Sequence, residues 1–330
     1  MNDVSDLDSA PVAAADTILG QVPVIDLSGP HGRLVAEIDA ACRDWGFFQI
    51  IGHGISSEQI ASLLDVTRSF FAQPRDVKRQ HLRTRDNPWG YYDRELTKER
   101  RDRKEIFDIG PDAKGTGPRS DVFEGRTPWP PTPPALRPAI EQWVAAVDRV
   151  SAGLTALMAE ALTGDRARLE EAFQPRDTSF LRLNYYPVDD PMDGERTDDA
   201  DLGIHHHTDA GALTILLQDG VSGLQVFREG YWHDVRPVTG ALTINIGDMT
   251  QVWSNDLYRA PVHRVLAMRD GERFSIPYFY NPAYDTLVAP LTGDPAYHPI
   301  SWGEFRRRRA EGDFAAYGTE VQISQYRRAA

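Results

Sequence analysis

The sequence holds a single cysteine, Cys42, in 330 residues. With one thiol there is no intramolecular disulfide and no thiolate zinc cage, and the chain suits a reducing compartment. Any metal must therefore be taken by nitrogen and oxygen donors. Positive charge is also in deficit, with 36 Lys and Arg against 49 Asp and Glu and a net charge of −13. An acidic chain without a long basic run repels phosphate backbones, which speaks against nucleic acid as a partner. No apolar run approaches the ~18 residues of a bilayer-spanning helix, so no membrane partner is expected. Met1 to Gly20 carries several Asp but no Lys or Arg. Without a basic start and an apolar stretch it does not resemble a secretory signal, and it reads as a flexible tail of a cytoplasmic protein. Internal repeats are missing as well.

What is present is an ordinary globular composition, 41% hydrophobic, long enough to bury a large core. Val22 to Ile25 reads as a strand, and Leu34, Val35, Ile38, Ala41, Cys42 and Trp45 then recur at helical spacing. Phe47 to Ile51 returns to strand, and Ser56 with Gln59 forms a capping box for a further helix ended near Pro74. Thr84 to Arg126, charged and broken by Gly and Pro, reads as a surface excursion. A proline cluster, Pro128 to Pro134, introduces a long helix from about Leu136 to Leu162. From Phe180 the texture becomes short Val, Ile, Leu, Thr and Tyr runs between turn residues, the rhythm of a double-sheet jelly roll. Asp189 to Gly203 reads as an inserted loop, and Trp302, Phe305, Arg306 to Arg309 and Phe314 as a helix laid on the barrel. The expected fold is α+β, mainly β. It comprises a tail (1–20), a helical N-terminal region (21–175), a jelly-roll core (176–300) and a C-terminal helix and tail (301–330), in one globular unit.

One His-x-Asp, His207-Thr208-Asp209, occurs in the chain. On a strand, residues two apart share a face, so the imidazole and carboxylate can grip one ion. His263 opens another strand and can supply a third ligand. Two histidines and one carboxylate leave the remaining metal positions open, as in non-haem Fe(II) oxygenases. The alternative is a hydrogen-bonded pair at a strand end and a core histidine. Arg273 and Ser275 also share one strand face and could hold a carboxylate by a guanidinium fork and a hydroxyl. The competing reading is an exposed arginine on the barrel rim.

Several segments, in order, resemble the isopenicillin N synthase-like family of Fe(II)- and 2-oxoglutarate-dependent dioxygenases. They are Asn184-Tyr185-Tyr186-Pro187, His207 through Gln218, Gly223-Leu224-Gln225-Val226, Asn245-Ile246-Gly247-Asp248-Met249, Trp253-Ser254-Asn255-Asp256, His263-Arg264-Val265 and Arg273-Phe274-Ser275. Val22 to Leu27 and Trp45 to Ile55 resemble the family's N-terminal region, and the likeness extends from about Val22 to Tyr326.

The resemblance implies His207, Asp209 and His263 as iron ligands. It implies Arg273 with Ser275 as the clamp on the distal carboxylate of 2-oxoglutarate, assisted by Tyr186, with Asn184 near the cosubstrate's other end. Phe279 matches a position that stacks on ring substrates in some members, against the alternative of a core side chain. His53 matches a structural turn. His205, expected on the same strand face as His207, would sit beside the ligands rather than among them. The implied reaction uses Fe(II), 2-oxoglutarate and O2, releases succinate and CO2, and by default hydroxylates a C–H bond of a small molecule. Members resembling isopenicillin N synthase or aminocyclopropane-carboxylate oxidase keep the triad and Arg-x-Ser without 2-oxoglutarate. A jelly-roll protein that binds without catalysing is the reading from another class. Arg94, Arg182 and Lys104 could meet an acidic substrate, or stand as solvated surface charges. Tyr91, Tyr92, Phe107, Phe279 and Tyr280 are expected as aromatic surface near the mouth. A secondary metabolite or amino-acid-like precursor is the expected substrate class, and a monomer or weak homo-oligomer the expected state.

Overall fold

The computed structural model describes residues 7, 10–13, 21–84, 86–97, 100–114, 125–175, 177–190, 202–315 and 321–328, with 113–114 and 310–315 by backbone alone. The chain runs β1 (Val24–Asp26), α1 (His31–Asp44), β2 (Phe47–Ile51), α2 (Ser57–Phe71) and the short α3 (Arg75–Lys78). Then come β3 (Gly90–Tyr92), a small hairpin of β4 (Leu96–Thr97) and β5 (Arg100–Arg101), β6 (Glu105–Ile109) and the long α4 (Leu136–Thr163). The barrel strands follow as β7 (Phe180–Tyr186), β8 (Leu202–His207), β9 (Leu213–Gln218), β10 (Leu224–Arg228), β11 (Tyr231–Asp234) and β12 (Leu242–Ile246). Helix α5 (Asp248–Trp253), β13 (His263–Leu266), β14 (Arg273–Tyr280) and α6 (Trp302–Ala315) complete the elements that position the site.

These strands form a large sheet in the order β1-β2-β12-β9-β14-β7-β6-β3 and a small one in the order β11-β10-β13-β8. The architecture is α+β, mainly β, with a jelly-roll core. Helix α4 lies against β9 and β14 on the outer face of the large sheet, with α1 and α2 packed against it. Its buried stripe, including Ile140, Trp143, Val147 and Leu154, follows from the 3.6-residue period. Gly164, in the left-handed region at φ 75°, ends it as a glycine cap. The box at Ser56 and Gln59 forms, each side chain bonding the other's backbone N–H. Strand β14 shows how one sequence serves two cores. Phe274, Ile276, Tyr278 and Tyr280 join the helix-side core, while Arg273, Ser275, Pro277 and Phe279 face the cavity between the sheets. A smaller apolar cluster, with Phe47, Tyr186, Leu216, Leu224 and Val265, closes the space between the sheets.

Several expectations need correction. Thr84 to Arg126 is not purely a surface excursion: β3 and β6 pair with each other and extend the large sheet beyond β7. Tyr91 and Phe107 are fully buried on the helix side, and Tyr280 stacks on Phe173, so these three are core and not mouth. Tyr92 lies under the Arg83 guanidinium, 3.7 Å from its ring centre. Strands β1 and β2 also join the large sheet, so the N-terminal region adds sheet as well as helices. Of the tail Met1 to Gly20, the described part is anchored: Val12 bridges to Trp232, whose indole N–H donates to the Leu7 carbonyl at 2.9 Å. Most of the loop Asp189 to Gly203 and the Phe314 side chain lie outside the described residues. Its end, Leu202 and Gly203, begins β8. Among the described residues no helix is long and apolar enough to cross a membrane.

Candidate active site

A cavity of about 260 Å³ opens between the two sheets. His207 stands at the end of β8 and His263 at the start of β13, directly paired across the ladder, so register alone brings their rings to 4.3 Å between centres. Asp209 lies two residues past the end of β8, so strand alternation does not place it; the following turn does. Its carbonyl accepts the Asp248 N–H at 2.8 Å. Gly247 permits that approach, since a Cβ there would collide with the Gly211 carbonyl.

The Asp209 carboxylate is asymmetric. Oδ2 accepts Thr214 Oγ1 at 2.6 Å and Asn245 Nδ2 at 2.8 Å. Oδ1 faces His207 Nε2 at 3.6 Å and His263 Nε2 at 3.8 Å. Those separations exceed a hydrogen bond and leave room for an ion held by all three atoms. Among the described residues this is the one His, Cys, Asp or Glu cluster arranged to hold a metal, its ligand atoms within 4.8 Å of one another. Burial, and then the neighbouring His263, push His207 well below its ordinary pKa, so it stands neutral with a lone pair to give. Burial alone would raise the Asp209 carboxyl, but the two histidines and the Asn245 and Thr214 hydrogen bonds outweigh it and lower it.

Across the cavity, β14 and β7 align Arg273 with Tyr186 and Ser275 with Asn184. Arg273 is completely buried, not on the rim. Its Nε donates to the Val221 carbonyl at 3.2 Å and its Nη2 to Gln218 Oε1 at 3.0 Å, while Nη1 has no hydrogen-bond partner. The guanidinium lies 4.9 Å from the Tyr186 ring centre. Asn184 Nδ2 donates to Ser275 Oγ at 3.3 Å, and Tyr186 Oη lies 3.4 Å from the same hydroxyl. Asn184 thus sits beside Ser275, and its own Oδ1 is buried without a hydrogen-bond partner. A buried arginine with an unanswered N–H in a pocket that also holds serine and tyrosine hydroxyls can receive a carboxylate.

Further along the same sheet, on β7 and β6, the lining is different. Arg182 forks onto Asp108 at 2.7 and 2.9 Å and reaches Glu95 at 2.8 Å; Lys104 pairs with Glu95 at 2.7 Å and Asp102 at 3.1 Å. Neither cation is the solvated surface charge of the alternative reading, whereas Arg94 is exposed. Phe279 is half-buried, lines the cavity and stacks on Phe180 at 4.6 Å. His205 does not share the His207 face: its ring turns to Asp102, and its carbonyl lies 2.8 Å from His207 Nδ1. His53 bonds the Gly240 carbonyl and the Ile55 N–H, holding a turn. The sequence pattern gave no role to Glu95, Asp102 and Asp108, and held Asn245 and Gln218 only as members of motifs. No local pattern marks them, because their partners lie far away in the chain.

The profile of the 2OG-Fe(II) oxygenase superfamily matches residues 178–282, and that of the "non-haem dioxygenase in morphine synthesis N-terminal" region matches residues 22–132. The chain belongs to the 2OG-Fe(II) oxygenase superfamily and is a non-haem Fe(II)- and 2-oxoglutarate-dependent dioxygenase. Jasmonate-induced oxygenase 4 of Arabidopsis thaliana is 32% identical over 87% of this chain and 81% of its own length. Flavonol synthase/flavanone 3-hydroxylase of Petunia hybrida is 35% identical over 84% and 79%. The crystal structure of JOX2 in complex with 2OG, Fe and JA superposes with a TM-score of 0.76 and 28% identity, covering 93% of each chain. With these findings the readings without 2-oxoglutarate and without catalysis are set aside.

Proposed function

We propose that His207, Asp209 and His263 hold one Fe(II), that Arg273, Ser275 and Tyr186 hold the distal carboxylate of 2-oxoglutarate with Asn184 steadying the hydroxyl, and that a small molecule is oxidised, by default hydroxylated, beside them. The observation that carries this is the pairing of two incomplete receptors across one cavity. One is three ligand atoms around an ion-sized gap, and the other a buried guanidinium whose Nη1 has no partner. When bound, Fe(II) with 2-oxoglutarate supplies oxidising power from O2, with succinate and CO2 as co-products.

The chain's own part is positioning. Gln218 and the Val221 carbonyl fix the guanidinium plane, so its free edge selects a carboxylate rather than a point anion. Asn184 donates to Ser275 Oγ and Tyr186 Oη lies against the same oxygen, so the two side chains fix where that hydroxyl stands. Thr214 and Asn245 occupy one oxygen of Asp209 and turn the other inward. Phe47, Leu216, Leu224 and Val265 exclude water from the reacting centre. Phe279 supplies an aromatic face for the substrate and Arg182, through its network, a fixed polar wall. The jasmonate relative and the JOX2 complex support a free small molecule as substrate, of secondary-metabolite or amino-acid-like type. The net charge of −13 and the single buried Cys42 support a cytoplasmic monomer or weak homo-oligomer that avoids nucleic acids and membranes.

Anaerobic titration of the apoprotein with Fe(II) and then 2-oxoglutarate tests the assignment. One iron per chain and the weak metal-to-ligand charge-transfer band of a chelated keto acid are expected. Iron binding with no band overturns the cosubstrate site. Candidate small molecules should then stimulate succinate formation; stimulation by peptides or nucleic acids alone would overturn the substrate class.

A further inference from the structure

The two histidines of the site are oriented by one device made from different materials. His263 Nδ1 lies 3.1 Å from the Pro261 carbonyl, and His207 Nδ1 lies 2.8 Å from the His205 carbonyl; each acceptor is two residues upstream. An Nδ1–H given to a carbonyl leaves Nε2 unprotonated and fixes where it points. For His263 the acceptor belongs to a proline, whose ring locks its own φ. The His205 carbonyl has no such constraint.

The sheet is also irregular there. Ile204 pairs with Val265 and His207 with His263, three steps on β8 against two on β13, so β8 bulges across His205 and His206. A bulged residue is released from the ladder. The His205 N–H goes instead to Asp102 Oδ1 at 3.1 Å, and the same oxygen lies 3.1 Å from His205 Nδ1. Asp102 is itself immobilised: it is completely buried, and its Oδ2 accepts Thr97 Oγ1 at 2.8 Å and faces Lys104 Nζ at 3.1 Å. The neighbouring backbone reinforces the contact, with the Arg103 N–H on the Leu202 carbonyl at 3.3 Å.

We propose that Asp102 is a positioning residue for the iron site, doing for the His205 carbonyl, and so for His207, what the proline ring does for Pro261 and His263. The proposal rests on His207 being an iron ligand. Asp102 contacts His205 through both backbone and ring, and lies one residue beyond the cavity-lining hairpin β4–β5 in the chain. Through Lys104 the same carboxylate is tied to Glu95 and the wall that faces substrate.

The competing role is an anchor that merely ties the hairpin to β8, and metal binding separates the two. Apoprotein of full length is titrated with Co(II), an oxygen-stable probe whose visible d–d bands report ligand geometry. Asp102→Ala is expected to weaken Co(II) binding roughly 10–100-fold, the usual effect of losing a partner behind a metal-binding histidine, and to shift the bands. Asp102→Asn keeps an oxygen for the His205 N–H and is expected to lose several-fold with a smaller shift. If Asp102→Ala does not fold, Asp102→Asn carries the test. Wild-type affinity and bands in the folded variants, with only a lowered Tm, would overturn the proposal and leave an anchor. His207→Ala distinguishes the premise: if it binds Co(II) as wild type does, the ligand assignment itself fails. If it loses the metal while the Asp102 variants keep it, only the positioning role fails.

Discussion

Two parts of the cavity lining use charge in opposite ways. In one, Asp209 Oδ1, Nε2 of His207 and of His263 and Arg273 Nη1 are aimed into space with no hydrogen bond from the described residues. In the other, Glu95, Lys104, Asp108 and Arg182 answer one another at 2.7 to 2.9 Å. A buried polar atom left open costs free energy that a ligand can recover, whereas a closed network gains nothing from one. Open valences therefore mark what the protein binds, and closed ones mark what holds the wall in shape.

Substitutions on the open side should remove ligands and leave the fold. The largest effect is expected from His207→Ala or His263→Ala, with metal-dependent succinate formation falling to background, iron falling well below one per chain and Tm nearly unchanged. Full activity with iron still bound would break the comparison.

On the closed side the loss should appear in stability. Arg182→Met strips Asp108 of its bidentate partner and Glu95 of one of its three cations, and should cost up to about 3–5 kcal/mol in denaturant unfolding, the usual effect of removing one partner from a buried ion pair. The pH dependence has a definite sign. Burial alone would raise the Glu95 carboxyl, but Arg182, Lys104 and Arg83 outweigh it and hold it well below the usual carboxylate range. A folded pKa below the unfolded one contributes stability above the ordinary carboxylate value of ~4.3, lost as pH falls through the folded pKa. Removing Arg182 narrows that gap. The variant should be destabilised most at neutral pH, with its acid-unfolding midpoint displaced to higher pH; an unmoved midpoint would show that Glu95 does not depend on this arginine.

Arg273→Lys keeps the charge and loses the fork, so 2-oxoglutarate affinity should weaken by about 1.5–3 kcal/mol, roughly ten- to a hundredfold. Unchanged binding in a titration would place the cosubstrate elsewhere. The smallest effect is expected from Phe279→Ala, which should slow substrate-coupled turnover several-fold while sparing uncoupled 2-oxoglutarate decay, since positioning and not chemistry is disturbed. Equal loss of both would return Phe279 to a structural role beside Phe180.

Local pattern carried far in this chain where residue spacing and geometry coincide. The alternation of Arg273, Ser275, Pro277 and Phe279 against Phe274, Ile276 and Tyr278 was legible because β14 is regular along its length. It failed at His205, because a bulge shifts alternation by one and has no signature in this His-rich run. Tyr91 and Phe107 looked like mouth residues because the charged stretch around them hid β3 and β6. Arg182 looked like a surface charge because its partners, Asp108 and Glu95, stand 74 and 87 residues away.

From the sequence alone came the donor types available to a metal, the helices with their caps and stripes, the all-β rhythm after Phe180 and the ordered motifs that carry the family resemblance. Those depend on side-chain chemistry and on neighbours a few residues apart, which the order of residues states directly. Tertiary structure alone decided that Asp209 joins the two histidines from a turn beyond β8, that Arg273 is buried with one N–H unanswered, and that Asp102 accepts the His205 N–H within the bulge of β8. Burial, pairing and orientation are set by contacts between residues distant in the chain, and only the closed barrel brings those residues within reach of one another.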